Sequence, residues 1–200
     1  MNIPFLKYQG TGNDFIIIDN RDLKFNRNDN ALVAKLCNRR FGIGADGLML
    51  LQNKSGYDFE MVYYNSDGNE SSMCGNGGRC IVEFARTLGL TKEKAFFYAT
   101  DGEHEAVVKP SFITLKMKDV NDVETNSDFY FLNTGSPHYV AFVNDLKNYN
   151  VFEEGKKIRY NDRFKAQGTN GNFIEKTEDA LFVRTYERGV EDETYSCGTG

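Results

Sequence analysis

No run of apolar residues in this chain approaches the roughly 20 needed to span a bilayer. Met1-Asn2-Ile3-Pro4 carries no charged region leading into an apolar one. The expectation is a cytoplasmic protein with no membrane partner. A basic excess is also missing: 24 Lys and Arg stand against 29 Asp and Glu, a net charge of -5, which argues against nucleic acid as a partner. The cysteines are few and scattered. Cys37, Cys74, Cys80 and Cys197 lack the paired short spacings of a zinc site, and a cytosolic chain keeps its thiols reduced, so metal and disulfide frameworks are weak readings. No glycine turn ends in Gly-Lys-Ser/Thr, and Gly10-Thr11-Gly12 opens a strand, so nucleotide binding has little support. What remains is a 200-residue globular chain, enough for one large or two small domains.

The stretch around which the rest is organised is Ser72-Met73-Cys74-Gly75-Asn76-Gly77-Gly78-Arg79-Cys80. Beyond it Ile81, Val82, Phe84, Ala85 and Leu88 recur at helical spacing and Gly89 supplies a stop. Cys74 is therefore expected at a helix N-terminus, where unpaired N–H groups and the macrodipole favour negative charge. A thiol there ionises more readily than a free one, whose pKa is about 8.5. The end of the chain, Tyr195-Ser196-Cys197-Gly198-Thr199-Gly200, repeats the Cys-Gly-polar-Gly pattern.

Strands are expected at Ile3 to Tyr8 and Phe15 to Asp19, then a helix capped by Asn28 or Asp29 that carries Ala31 to Cys37. Further strands follow at Leu48 to Leu51 and Tyr57 to Tyr64. After the Cys74 helix come short strands at Ala95 to Thr100, Glu105 to Lys109 and Phe112 to Met117. The polar segment Lys118 to Ser127 marks a boundary. The domains read as 1–118 and 119–200. The second replays the first: Gly10 to Gly135 is a step of 125, Gly44 to Gly168 one of 124, and Cys74 to Cys197 one of 123. Duplication of one lobe accounts for this order. If so, a helix should follow Cys197, yet three residues do. The expectation is a fragment whose second lobe lacks its central helix, inactive as it stands.

Two thiols at equivalent helix starts on duplicated lobes could flank one substrate carbon, one removing a proton and the other returning one to the opposite face. The helix N–H groups would meet the charge that develops on an adjacent carboxylate. At this point the chain resembles the diaminopimelate epimerase family, within the superfamily that includes proline racemases. The markers are Gly10-Thr11-Gly12-Asn13-Asp14-Phe15, Gly42-Ile43-Gly44-Ala45-Asp46-Gly47, Asn65-Ser66-Asp67-Gly68, Met73-Cys74-Gly75-Asn76-Gly77, Gly135-Ser136-Pro137-His138, Gly168-Thr169-Asn170, and Tyr186-Glu187-Arg188-Gly189 ahead of Cys197-Gly198-Thr199-Gly200. Singly each is weak; in this order they are specific.

The resemblance implies an α+β fold of two pseudo-symmetric lobes, each a mostly antiparallel curved sheet rolled around a central helix. It implies interconversion of LL- and meso-diaminopimelate in lysine and cell-wall precursor biosynthesis, with no cofactor, neither pyridoxal phosphate nor metal, and a homodimer. Cys74 and Cys197 become the acid/base pair. Gly75, Asn76, Gly198 and Thr199 become the carboxylate cradle, Asn13, Asn65, Asn170, Glu187 and Arg188 substrate contacts, and His138 and Glu187 residues that assist the cysteines. Two positions depart: Gly47 where the family often has Gln, and Ser136 where it often has Asn, each at the loss of an amide contact.

Blander readings stand beside these. Cys37 and Cys80 read as core. The asparagines could be ordinary turn residues, Glu187 and Arg188 a solvated pair, and His104, in a hairpin, a surface residue. The rival functions are racemisation of another amino acid such as proline, an amino-acid-binding module, and a thiol redox sensor.

Overall fold

The structure, a computed structural model, describes residues 2–198. It divides into two compact units, Met1–Met117 and Lys118–Gly200.

The first unit begins with a hairpin of β1 (Leu6–Gly10) and β2 (Asn13–Asp19). Its turn is Thr11-Gly12, both at positive φ (54° and 86°), as a two-residue turn matched to strand twist requires. The chain then crosses over through α1 (Asn30–Cys37), capped by Asp29, whose carboxylate accepts from the Leu32 N–H at 3.0 Å. It returns in β3 (Gly47–Gln52), parallel to β2, and reverses in β4 (Phe59–Asn65), with the short β5 (Glu70–Ser71) beside it. Next comes α2 (Gly75–Thr87), and then β6 (Lys94–Ala99), β7 (Gly102–Val108) and β8 (Ile113–Leu115) extend the sheet.

Both faces of the central strands are covered, which is why Phe15-Ile16-Ile17-Ile18 and Leu48-Met49-Leu50-Leu51 read as unbroken apolar runs. Phe15, Ile17, Met49, Leu51 and Met61 pack with Ile81, Val82, Phe84 and Ala85 of α2, around which the sheet curls to bring in Phe97, Ala106 and Leu115. Ile16, Ile18, Leu48, Leu50 and Tyr64 pack with Val33 and Cys37 of α1.

In the second unit, β9 (Val123–Thr125), β10 (Tyr130–Asn133) and β11 (Pro137–Phe142) lead to α3 (Val151–Arg159), and β12 (Asn170–Lys176), β13 (Leu181–Glu187) and β14 (Asp192–Thr194) complete a sheet in the order β14-β13-β12-β11-β10-β9. The pairing of β10 to β13 is antiparallel, parallel, antiparallel, as it is from β1 to β4. Even the register repeats. Phe15 opposite Gly47 recurs 125 positions on as Val140 opposite Asn172. α3 stands where α1 does, and Ala141, Leu146, Val151, Phe173 and Tyr186 form the core beneath it.

The fold is thus α+β, two curled sheets built on one plan. The two faces of the second sheet differ. Ile17 lies under α2 at 0 % exposure, whereas Phe142, its counterpart, is 54 % exposed, and Leu181 and Val183 beside it are 56 % and 40 % exposed. Among the described residues no helix covers that face. None is long and apolar enough to cross a membrane.

Candidate active site

Cys74 is the N-cap of α2, extended at φ -94° and ψ 130°. Gly75, Asn76, Gly77 and Gly78 behind it are all buried. A Cβ on Gly77 would come within 3.2 Å of the Met49 sulfur, and one on Gly78 within 3.0 Å of the Met73 sulfur, so glycine lets the helix start sink against the sheet. The first helical bond runs from the Gly78 N–H to the Cys74 carbonyl, leaving the amides of residues 75–77 ahead of the ladder, where an anion is favoured. The Asn76 side chain is turned inward. Its Oδ1 accepts from the Arg79 guanidinium and, at 3.4 Å, from the Thr11 hydroxyl.

The thiol makes no capping bond of its own. Its Sγ lies 3.6 Å from Asn13 Oδ1, as donor. Asn13 Nδ2 donates to Asp46 Oδ2 at 2.8 Å, and Arg39 reaches Asp46 Oδ1 at 2.6 Å and Asp14 Oδ1 at 2.7 Å. Lys7 adds an ion pair to Asp14 and a bond to the Gly44 carbonyl. Burial opposes the charge on Asp14, but Arg39 and Lys7 outweigh it and hold that carboxyl well below the usual carboxylate range. Asn65, at the end of β4 opposite Gly47, makes no side-chain hydrogen bond among the described residues. A Cβ on Gly47 would sit 2.5 Å from the Tyr63 ring and 3.1 Å from its hydroxyl. Tyr63 therefore occupies the room a larger residue at 47 would need.

Behind Cys74, the Met73 N–H donates to Asp101 Oδ1 at 3.2 Å, and His104 Nε2 meets the same oxygen at 3.0 Å. His104 is only 3 % exposed, which corrects its reading as a surface residue. The alternation along β7 turns 104, 106 and 108 inward together, and the ring stacks on Phe97. Cys37 and Cys80 are core, as their packing reading had it, and burial pushes both thiols up to about 11. Cys74 and Cys197 are partly exposed.

In the second unit His138, Asn170, Glu187 and Arg188 gather at the parallel joint of β11 and β12. Asn170 Oδ1 accepts from the Arg188 N–H at 2.8 Å, Arg188 Nη1 donates to the Gln167 carbonyl at 2.9 Å, and Glu187 accepts from the Thr194 hydroxyl at 2.9 Å. Burial, then Arg159, lowers the Arg188 pKa. Glu187 and Arg188 each have bonds inside their own unit, against the blander reading of them as a solvated pair. Cys197 and Gly198 lie in the segment after β14. Thr199 lies outside the described residues, as would any helix beyond it.

Asn172, fully buried, was not singled out in the sequence. Its Nδ2 donates to the Tyr139 carbonyl at 3.1 Å and meets His138 Nδ1 at 3.0 Å, while its Oδ1 accepts from Thr185 at 2.9 Å. A polar residue inside the pattern Gly171-Asn172-Phe173 was the available signal. A carbonyl only accepts, so the amide nitrogen faces both Tyr139 and the ring. His138 Nδ1 is thus the lone pair and the proton sits on Nε2. Burial lowers the His138 pKa to about 4, against an ordinary 6.5. Between these values the unfolded chain binds a proton that the folded chain refuses. The stability tied to His138 is therefore complete above pH 6.5 and is lost as pH falls toward 4, by roughly 3 kcal/mol. Urea unfolding of the second unit at pH 7 and pH 4.5 should show this loss, and His138→Gln should flatten it; an unchanged pH slope in the variant would assign the loss elsewhere.

The plan of these sheets is shared with solved structures at low identity, which speaks to fold alone. A Bacillus anthracis phenazine biosynthesis protein of the PhzF family superposes with a TM-score of 0.73 at 14 % identity, covering 100 % of this chain and 77 % of its own. A probable proline racemase from Agrobacterium radiobacter K84 gives 0.62 at 10 % identity, covering 92 % and 70 %. The fold is that of the PhzF and proline racemase class. Within it the assignment is narrower: the family model for diaminopimelate epimerase matches residues 5–119 and 130–200. A diaminopimelate epimerase of Flavobacterium psychrophilum is 58 % identical over 196 residues, 97 % of this chain and 77 % of the relative, and one of Chlorobaculum tepidum is 46 % identical over 200 residues, 96 % and 77 %. The chain belongs to the diaminopimelate epimerase family.

Proposed function

We propose that this protein interconverts LL- and meso-diaminopimelate, with Cys74 and Cys197 as the acid and base. The observation that carries the reading is the recurrence of one architecture around two Cys-Gly sequences, inside a family whose relatives bear that name. One sulfur removes the α-proton and the other delivers a proton to the opposite face, so the centre inverts. Each proton transfer to or from a positioned group contributes about 10²–10⁴-fold. The charge that moves onto the substrate carboxylate is met by the amides ahead of α2, and losing one such donor costs about 10²–10³ in rate.

Asn65 and the Nδ2 of Asn170 have no side-chain partner among the described residues. With Arg188 they support a substrate whose far end is polar. The reaction is acid/base chemistry between thiols, so the reading includes no pyridoxal phosphate and no metal, and it places the protein in the cytoplasm. Because the 200-residue chain is expected to be inactive as it stands, the test is incubation of the protein at its full natural length in deuterated water with LL-diaminopimelate and, separately, with L-proline. The reading expects meso product carrying deuterium at the inverted carbon, and no exchange into proline. Exchange into proline alone would move the protein to the racemase reading.

A further inference from the structure

The turn between β6 and β7 fastens the residues that lead into Cys74. Thr100 Oγ1 donates to Glu70 of β5 at 2.8 Å, and Asp101 Oδ1 accepts from the Met73 N–H at 3.2 Å. Residues 70–73 are thus held at both ends, and Cys74 follows directly. Asp101 is in turn held from the core. A carboxylate only accepts, so His104 Nε2, 3.0 Å from the same oxygen, carries its proton. The His104 ring stacks on Phe97 at 5.3 Å between centroids, and Phe97 stacks on Phe59 at 5.0 Å, both phenyl rings fully buried. In so close a packing the imidazole has no room to turn away. It fixes the carboxylate, and the carboxylate fixes the Met73 peptide. Stability alone does not account for the pair, because an apolar residue at 104 would fill the same space without the cost of desolvating two polar groups.

Resting on the reading of Cys74 as an acid/base residue, we propose that Asp101 and His104 are positioning residues for its thiol, acting through the Met73 peptide. From Gly75 onward α2 is seated by its own packing, with Gly77 against Met49. Cys74 stands outside that ladder. As N-cap it has an extended backbone and no capping bond from its side chain, so where its sulfur points is set from upstream, by the peptide that Asp101 holds. A reacting group displaced by about 1 Å can cost about 10²-fold in rate. The amides of residues 75–77 stay with the helix. Loss of the clamp should therefore lower kcat and leave substrate affinity nearly unchanged.

The test is steady-state kinetics with diaminopimelate on the protein at its full natural length, beside hydrogen exchange of the Met73 amide followed by NMR. Asp101→Ala should lower kcat about 10- to 100-fold with KM within about threefold, and should quicken Met73 amide exchange about tenfold or more. Asp101→Asn keeps an oxygen for the Met73 N–H and should hold kcat within about threefold of wild type. His104→Phe keeps the packing and removes the N–H; kcat should fall about three- to tenfold while the unfolding midpoint stays or rises, a split that a merely structural role would not produce. That variant also covers the case where Asp101→Ala does not fold. Unchanged kcat in the folded variants, or a loss that Asp101→Asn shares in full, overturns the inference alone. If the wild-type protein turns over no diaminopimelate, the functional reading falls, and Met73 exchange then decides on the clamp: faster in the variants supports it, unchanged overturns it.

Discussion

Cys74→Ala is expected to abolish inversion of diaminopimelate, by about 10³-fold or more, while leaving the protein folded. On the proposed reading, removing the thiol removes one of the two groups that handle the proton, and general acid/base groups account for up to about 10⁴-fold each. The structural cost is small. Cys74 is partly exposed and makes no capping bond from its side chain, so a change within about 1 kcal/mol is expected. The variant still has the sulfur of Cys197, which can take the α-proton and give back one from solvent on the same face. Deuterium should therefore wash slowly into the starting stereoisomer with retention, and Cys197→Ala should show the mirrored defect. Proton NMR of the α-position, combined with chiral chromatography, separates exchange from inversion. Inversion at more than a tenth of the wild-type rate in either variant would rule out a two-thiol mechanism.

Gly155→Ala should destabilise the second unit by about 1–2 kcal/mol net, although alanine is the better helix former. In an exposed helix the change would gain about 1 kcal/mol. Here α3 lies flat on the sheet: a Cβ at 155 would stand 2.2 Å from Tyr186 Cβ and 2.5 Å from its Cγ. Tyr186 is 1 % exposed and its Cβ is fixed to β13, so no flexible tip can swing away and the helix must lift. Overpacking of this kind costs about 1–3 kcal/mol and occasionally more, a large share of the 5–15 kcal/mol that stabilises a domain. Denaturant unfolding followed by amide signals of Phe173 and Tyr186 reads the effect. A midpoint at or above wild type would mean the helix reseats without loss.

The elements most legible in the sequence were those where local chemistry and tertiary packing agree. Helix α2 combined a glycine-rich start, helical periodicity and a glycine stop, and β2 and β3 were apolar throughout because both their faces are covered. The duplication was legible as spacing, and its physical content, a parallel joint between two antiparallel pairs, appeared once registers could be compared. The candidate site was legible in its motif residues and not in the residues that hold them in place. Asp46 looked like one letter of a turn motif. The place of Asp46 depends on a contact with Asn13 across 33 positions, and that of Arg39 on its ion pair with Asp46, neither of which any periodicity encodes. His104 misled because a hairpin position says nothing about which face a residue occupies; the pairing of β6 with β7 decides that.

The parallel joint also bears on how each half folds. In the first unit residues 20–46 intervene between β2 and β3, and in the second residues 143–169 intervene between β11 and β12. The two excursions are equal in length, so the chain-length-dependent part of bringing their ends together, about 3 kcal/mol each by the logarithmic law, is the same. The hairpins on either side need only short-range encounters, which makes the joint the late event in both. Any difference in the speed at which the halves close must then come from what the excursion carries: Phe25, Val33 and Cys37 in one case, Leu146, Val151 and Ile158 in the other. Exchanging those stretches should move the closing rate with the stretch and leave the strands that frame it indifferent.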